Sequence, residues 1–223
     1  MHIPDGYLGP QTYGLLYGVM LPIWARASKL VRKTLRQRQV PLLALASAFS
    51  FVVMMFNIPI PGGSTGHAVG GVIVTILLGP WAALIAISIA LVIQALLFGD
   101  GGITAIGANC FNMAFVMPMV GYLIYRLISK GAATTSRRRW IAGAVAGYIG
   151  LNVAALTTAV MFGLQPLLEK GPDGRPLYFP YPLEVAVPVM AAQHLLFFGI
   201  VEAVLTALLV IYFQRSDPMI LER

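Results

Sequence analysis

The sequence predicts an all-α, polytopic membrane protein with seven transmembrane helices, and three observations carry that prediction. Apolar residues make up 58% of the 223 and charged residues only 10%, with a mean hydropathy of +0.82. An ordinary soluble domain is about 45–50% apolar and about 25% charged, so soluble globular and disordered chains are both excluded. The apolar residues form continuous runs, whereas a membrane barrel would alternate apolar and polar positions. The basic residues, finally, gather at the ends of those runs.

Each crossing of the hydrocarbon core takes roughly 20 apolar residues. A first span is read at 7–24, short and flanked by aromatic residues, followed by a basic linker with Arg26, Lys29, Arg32, Lys33, Arg36 and Arg38. A second span covers 40–56. The loop Asn57 to Gly66 then carries no charge at all. From His67 to Phe98 the chain is apolar for 32 residues, too long for one helix, and Gly79-Pro80 divides it. Proline after glycine breaks a helix, so two antiparallel spans are expected, 67–78 and 81–98. The first is short for a full crossing and is expected to start inside the outer layer.

Gly99-Asp100-Gly101-Gly102 reads as a turn, with Asp100 a turn residue and attraction of cations its alternative role. The remaining spans are 103–128, 140–162 and 185–213, the last two separated by a polar loop at 169–176. With residues 25–39 cytoplasmic, 13 of the 15 basic residues lie inside and only Lys170 and Arg175 outside. That bias places the N-terminus outside and the C-terminus in the cytoplasm. The basic stretches then face anionic lipid, and nothing points to nucleic acid. Cys110 is the single cysteine, so no disulfide framework exists. Residues 1–223 are read as one integral-membrane domain. No cleavable signal peptide is legible, and the chain is expected to display its own start at the outer surface.

Two of the three histidines, His2 and His67, fall on that face. Histidine is too large a second residue for ready removal of Met1, so a free α-amine is expected directly before His2. The amine, the backbone nitrogen of His2 and the His2 imidazole close a five- and then a six-membered ring around one metal ion. The middle donor must lose its amide proton, which demands Ni(II), Cu(II) or, less readily, Co(II) in a square plane. One corner stays open, and His67, after a flexible Gly-Gly-Ser-Thr-Gly stretch, is the candidate to close it. Each histidine alone has a plainer reading: His2 solvated and idle, His67 bonded to its own loop. With a free amine of pKa about 8, such a site would release about two protons per metal at pH 7.

Other motifs fail. The glycine-rich stretch lacks the Lys-Ser/Thr of a nucleotide-binding loop, and no zinc-protease helix or nucleophile elbow is present. No energy source and no catalytic residues are legible, so an enzyme is not expected.

The segments Met-His-Ile-Pro-Asp-Gly-Tyr-Leu (1–8), Pro-Gly-Gly-Ser-Thr-Gly-His-Ala-Val-Gly-Gly (61–71) and Leu-Leu-Gly-Pro-Trp-Ala-Ala (77–83) carry a resemblance. So do Gln-Ala-Leu-Leu-Phe-Gly-Asp-Gly-Gly-Ile-Thr-Ala-Ile-Gly-Ala-Asn (94–109) and His-Leu-Leu-Phe-Phe-Gly-Ile-Val-Glu-Ala (194–203). Over nearly its whole length the chain resembles the NikM/CbiM family, the substrate-binding (S) components of energy-coupling-factor (ECF) transporters for nickel or cobalt. The resemblance implies a six-helix core with an extra N-terminal helix, in the cytoplasmic (inner) membrane of a prokaryote. It implies Ni(II) or Co(II) as the transported substrate, held by Met1, His2 and His67. The partners it implies are a transmembrane coupling (T) protein, two cytoplasmic ATPases and, in many members, a small accessory membrane subunit.

Polar residues among the apolar runs are candidates to orient the ligands or seal the site: Asn57, Ser64, Thr65, Gln94, Asn109 and Asn112. The alternative for each is an interhelical bridge. His194 and Glu202 are expected to make structural hydrogen bonds. Ala44, Ala46 and Ala48 smooth the second span for close helix approach; the family implies contact with the coupling protein, and internal packing is the alternative. Two other functions compete with a binding subunit. A stand-alone divalent-cation channel or secondary permease is the alternative; the chain does not resemble the nickel/cobalt permeases, which carry a His-x-x-x-x-Asp-His helix, and that counts against it. An intramembrane enzyme would need a base and a nucleophile that converge, and none do.

Overall fold

The computed structural model describes residues 1–34, 40–60 and 64–221, and helices account for most of them. Helix α1 (Pro10–Thr34) opens with proline at its first turn, where the missing N–H costs nothing. The expected linker after Trp24 is instead more helix: Ala, Lys, Leu and Arg are good helix formers, so hydrophobicity ends at Trp24 but helicity does not. Arg26, Lys29, Arg32 and Lys33 therefore ride on α1, and the Arg26 guanidinium lies 5.2 Å from the centre of the Trp81 ring. Arg36 and Arg38 of that linker, Pro61-Gly62-Gly63 of the uncharged loop and Arg223 lie outside the described residues.

Helix α2 (Val40–Met55) leads into a short antiparallel hairpin, β1 (Ile58–Ile60) and β2 (Ser64–Gly66), with Pro59 opposite Thr65. Sequence reading took this stretch for plain loop. Three-residue strands are too short to show a period-2 pattern, so nothing local announced them.

Helix α3 is only Gly71–Leu78. The span expected at 67–78 thus begins four residues late, and His67 to Gly70 run outside the helix. Two things stop the helix at that end. Gly70 takes φ +68, a left-handed conformation open to glycine, and a carboxylate on a distant helix holds the neighbouring backbone amides. Eight residues rise only about 12 Å, so α3 cannot cross alone. Gly79 (φ +83) and Pro80 make the break predicted for them.

Helices α4 (Pro80–Phe98), α5 (Ile106–Ser129), α6 (Arg137–Leu168) and α7 (Leu183–Ser216) are each long and apolar enough to cross a membrane. A 3₁₀ turn, Pro218–Leu221, ends the described chain. Three of these helices contain π segments, at Gln94–Phe98, Cys110–Val116 and His194–Phe198. Such segments widen a helix by a residue and re-aim its side chains. Here they cluster around the end of the bundle where the N-terminus enters.

Helix packing relies on small residues. α6 lies against α5 and α7 through Gly143, Gly147 and Gly150, where an added β-carbon would come within about 3 Å of Thr206, Glu202 or Met117. Without a hydrophobic drive between helices in lipid, such close backbone approach supplies the van der Waals contact.

Candidate metal centre

The first nine residues fold back into the bundle. Met1 and Ile3 are fully buried and His2 is 2% exposed. Apolar packing holds this segment: Ile3 and Leu8 join a cluster with Leu16, Ala108, Phe162 and Phe179, the last two stacked at 4.4 Å. Hydrogen bonds set its register. Asn109 on α5 grips Ile3 at both ends, accepting from Ile3 N at 2.9 Å and donating to Ile3 O at 3.2 Å. Gly102 N also donates to Ile3 O, and the Asp5 carboxylate accepts from the backbone of Ile103 and Thr104 and from the Thr104 hydroxyl. A β-carbon on Gly102 would sit 2.4 Å from Asp5 N, so glycine is required where the segment crosses the α4–α5 turn. Further on, Gly9 N donates to Gln165 of α6.

That placement brings together the three residues expected to bind metal. The rings of His2 and His67 stack, centroids 4.5 Å apart and 22° between planes. The Met1 amine donates to the carbonyl of Thr65 in β2, two residues before His67. His67 is fully buried; its Nδ1 donates to Ala68 O at 3.0 Å, leaving Nε2 without a hydrogen-bond partner among the described residues. A buried polar atom left so costs about 1–3 kcal/mol, which a ligand can recover.

The residues proposed to surround the ligands sort into different places. Ser64 Oγ donates to His2 O at 3.2 Å. Thr65 contributes its carbonyl to the amine, while its own buried hydroxyl has no partner among the described residues. Gln94 is fully buried where α4 changes to π geometry; its amide nitrogen lies 3.4 Å from Phe51 O, and its side chain interacts with the His2 ring. Asn109 acts through Ile3, as above. Asn57 Nδ2 donates to Asp100 Oδ2 at 3.0 Å. Asn112 is elsewhere: it bridges α5 and α6 through Thr157, Thr158 and Met161, which is the interhelical alternative. Ala44 and Ala48 are exposed on one side of α2, whereas Ala46 is partly buried among core residues.

Asp100 takes the alternative role its sequence allowed, beside a proposed ligand, and Glu202 makes the structural hydrogen bonds expected of it. Asp100, read as a turn residue, places Oδ1 3.1 Å from His2 Nδ1. An acid between two apolar runs was itself a signal, because ionisable groups near membrane depth are functional by default. Glu202, fully buried on α7, accepts from Val69 N at 2.8 Å and Gly70 N at 2.9 Å. It thereby anchors the segment that carries His67. No local pattern could reveal that pairing across 133 positions. His194 is buried with Nδ1 donating to Met190 O, a structural bond as expected, and its Nε2 has no partner among the described residues.

Burial also changes the protonation expected of the N-terminus. Loss of water lowers the Met1 amine from 8.0 to about 4, although Asp100 partly opposes the shift. Burial likewise lowers His2, again against the pull of Asp100. For Asp100, burial pushes upward, but the hydrogen bond and charge of His2 outweigh it and hold the carboxyl below its usual value. At pH 7 the site is therefore a neutral amine, neutral imidazoles and one carboxylate.

The family described as "Cobalt uptake substrate-specific transmembrane region" matches residues 2–220. The chain is 55% identical over 221 residues to a "Fused nickel transport protein NikMN" of Rhodobacter capsulatus, covering 99% of this chain and 64% of that one. It is 49% identical to a putative metal transport protein of Methanocaldococcus jannaschii, covering 98% and 93%. A crystal structure described as a truncated transition metal transporter superposes with a TM-score of 0.92 at 52% identity, covering 97% of this chain and 99% of that one. The chain thus spans a little under two thirds of the Rhodobacter relative but nearly all of the archaeal one. Long apolar helices and these relatives define the class: a multi-pass membrane transport protein. Within it, the chain belongs to the CbiM family.

Proposed function

We propose that this chain is the substrate-binding membrane subunit of an ATP-driven, ECF-type uptake system, and that its substrate is Ni(II) or Co(II). The ion sits in a square plane of four nitrogens: the Met1 amine, the His2 amide and imidazole, and His67. The observation that carries this reading is the buried stack of His2 on His67 beside the Met1 amine, with His67 Nε2 unpartnered.

Ring size assigns the imidazole atom. A six-membered chelate from the His2 amide closes through Nδ1, so binding exchanges the contact of Nδ1 with Asp100 for a bond to the metal. The charges then balance. A divalent ion plus one deprotonated amide carries a net charge of one, and the Asp100 carboxylate, steadied by Asn57, neutralises it. A buried charge without such a partner would be costly. His67, its Nδ1 proton held by Ala68 O, offers Nε2 as the fourth donor.

Seven spans, α3 being completed by the non-helical residues 67–70 before it, with the N-terminus and the metal site outside and the basic helix ends in the cytoplasm, make the chain one multi-pass domain of a prokaryotic inner membrane. Its partners, as the resemblance implies, are a transmembrane coupling protein and two cytoplasmic ATPases that supply the energy, with, as in many members, a small accessory membrane subunit. The exposed pair Ala44 and Ala48 on α2 is the proposed seat of the coupling protein.

The test is the metal content and absorption spectrum of the purified chain with an unmodified Met1 amine. A diamagnetic, yellowish 1:1 nickel complex is expected. In vesicles the chain alone should carry little sustained flux; steady uptake without ATPases would instead mean a permease.

A further inference from the structure

At the other end of α5, roughly 30 Å from Asn109 along the helix axis, lies a pocket of about 420 Å³ whose lining includes Arg126, Lys130, Arg139, Tyr125, Leu123 and Leu127. Three cations converge there, and among the described residues no acid lines it. The cations are not alike. Arg139 is built into the fold: its guanidinium donates to Ala132 O, Leu221 O and the Tyr125 hydroxyl, joining the α5–α6 turn to the chain end. Every one of those acceptors is neutral, so among the described residues nothing balances its charge. Among the described residues Arg126 reaches only the ring and hydroxyl of its own neighbour Tyr122, and it and Lys130 are exposed. Among the described residues, no carboxylate pairs with any of the three.

On the same stripe of α5 as Arg126 and Lys130, three and four residues apart, Leu123 and Leu127 are 58% and 61% exposed. The pocket thus runs from Lys130 and Arg139 at the helix end to Leu123 on the membrane side, with Arg126 and Leu127 between. A free inorganic anion would use only the helix end. We infer that it is a binding site for one anionic phospholipid, with the phosphodiester at Arg126, Lys130 and Arg139 and an acyl chain along Leu123 and Leu127. The inference rests on the membrane class alone and is independent of the metal reading. Basic side chains near a bilayer surface attract anionic lipid by about 1 kcal/mol each; a preformed cavity adds selection of one molecule over the diffuse layer.

The test uses the full chain purified in detergent with equal phosphatidylglycerol and phosphatidylcholine of the same acyl chains, and measures retained lipid by native mass spectrometry. Phosphatidylglycerol should be retained in preference, at one per chain. The double variant Arg126→Gln/Lys130→Gln should lower that retention by roughly tenfold or more, while Lys130→Arg keeps it. Nickel titration and melting temperature of the variants report that the fold is intact. The exposed control pair Arg32→Gln/Lys33→Gln should leave retention unchanged. Equal retention of both lipids overturns the inference, as does equal loss from the control pair, which would mean bulk attraction. Displacement of phosphatidylglycerol by millimolar inorganic phosphate also overturns it, in favour of a free-anion site.

Discussion

Asn109 holds Ile3 by both backbone groups, and through Ile3 it decides where His2 stands. The two bonds, 2.9 and 3.2 Å, are buried and link positions 106 apart in sequence. Asn109→Ala leaves a backbone N–H without its acceptor and frees the segment. Outer partners of this kind contribute roughly 10–100-fold to metal affinity. A loss of that order is expected in equilibrium titration; unchanged affinity would mean that packing of Ile3 alone places the site.

His2→Ala removes the imidazole and the ring that steadies the amide nitrogen, whereas His67→Ala removes only the closing donor. His2→Ala should therefore be the more damaging of the two. Titration of both variants with nickel checks the order, and full affinity in either would strike that residue from the ligand set.

Placing one residue before Met1 converts the amine to an amide and shifts the chelate register, so high-affinity binding should vanish. In the unextended chain, burial has already stripped the amine of its proton at pH 7, since its pKa lies at about 4. Proton release on metal binding should then be about one per ion, from the amide, and not the two expected of a solvated amine. Calorimetry in buffers of different ionisation enthalpy counts it. A release near zero would rule out a deprotonated amide.

The same burial sets the pH dependence of the metal-free chain. The amine binds its proton near 8.0 when unfolded and only at about 4 when folded, so the unfolded state holds more protons between those values. Stability rises with pH across that window; it is complete above 8 and lost as pH falls toward 4. His2, also lowered, adds in the same direction below 6.5. Melting temperature of the metal-free protein should fall steadily from pH 8 to 5, and a flat profile would mean that the amine is solvated.

Glu202→Ala should weaken metal binding, because two amides beside His67 lose their acceptor, while Glu202→Gln retains an acceptor and most of the affinity. If Gln were as harmful as Ala, the charge of Glu202 and not its hydrogen bonding would be what matters.

The amino-acid sequence by itself determined the class, the metal ligands proposed and most span limits, because these are local properties. Twenty apolar residues, a Gly-Pro break and an amine beside a histidine can be read where they stand. The reading failed where local cues were ambiguous: α1 continued through residues that are polar yet helix-forming, and α3 lost four residues to a backbone capture from Glu202. Only the tertiary structure decided that Asp100 faces His2, that Asn109 grips Ile3 while Asn112 does not approach the site, and that the Met1 amine is neutral at pH 7. Those outcomes depend on which helices meet and how deeply the N-terminal segment is buried. Hydrogen-bond partners 100 residues apart and the loss of water around one amine follow from packing, which no short stretch of sequence contains.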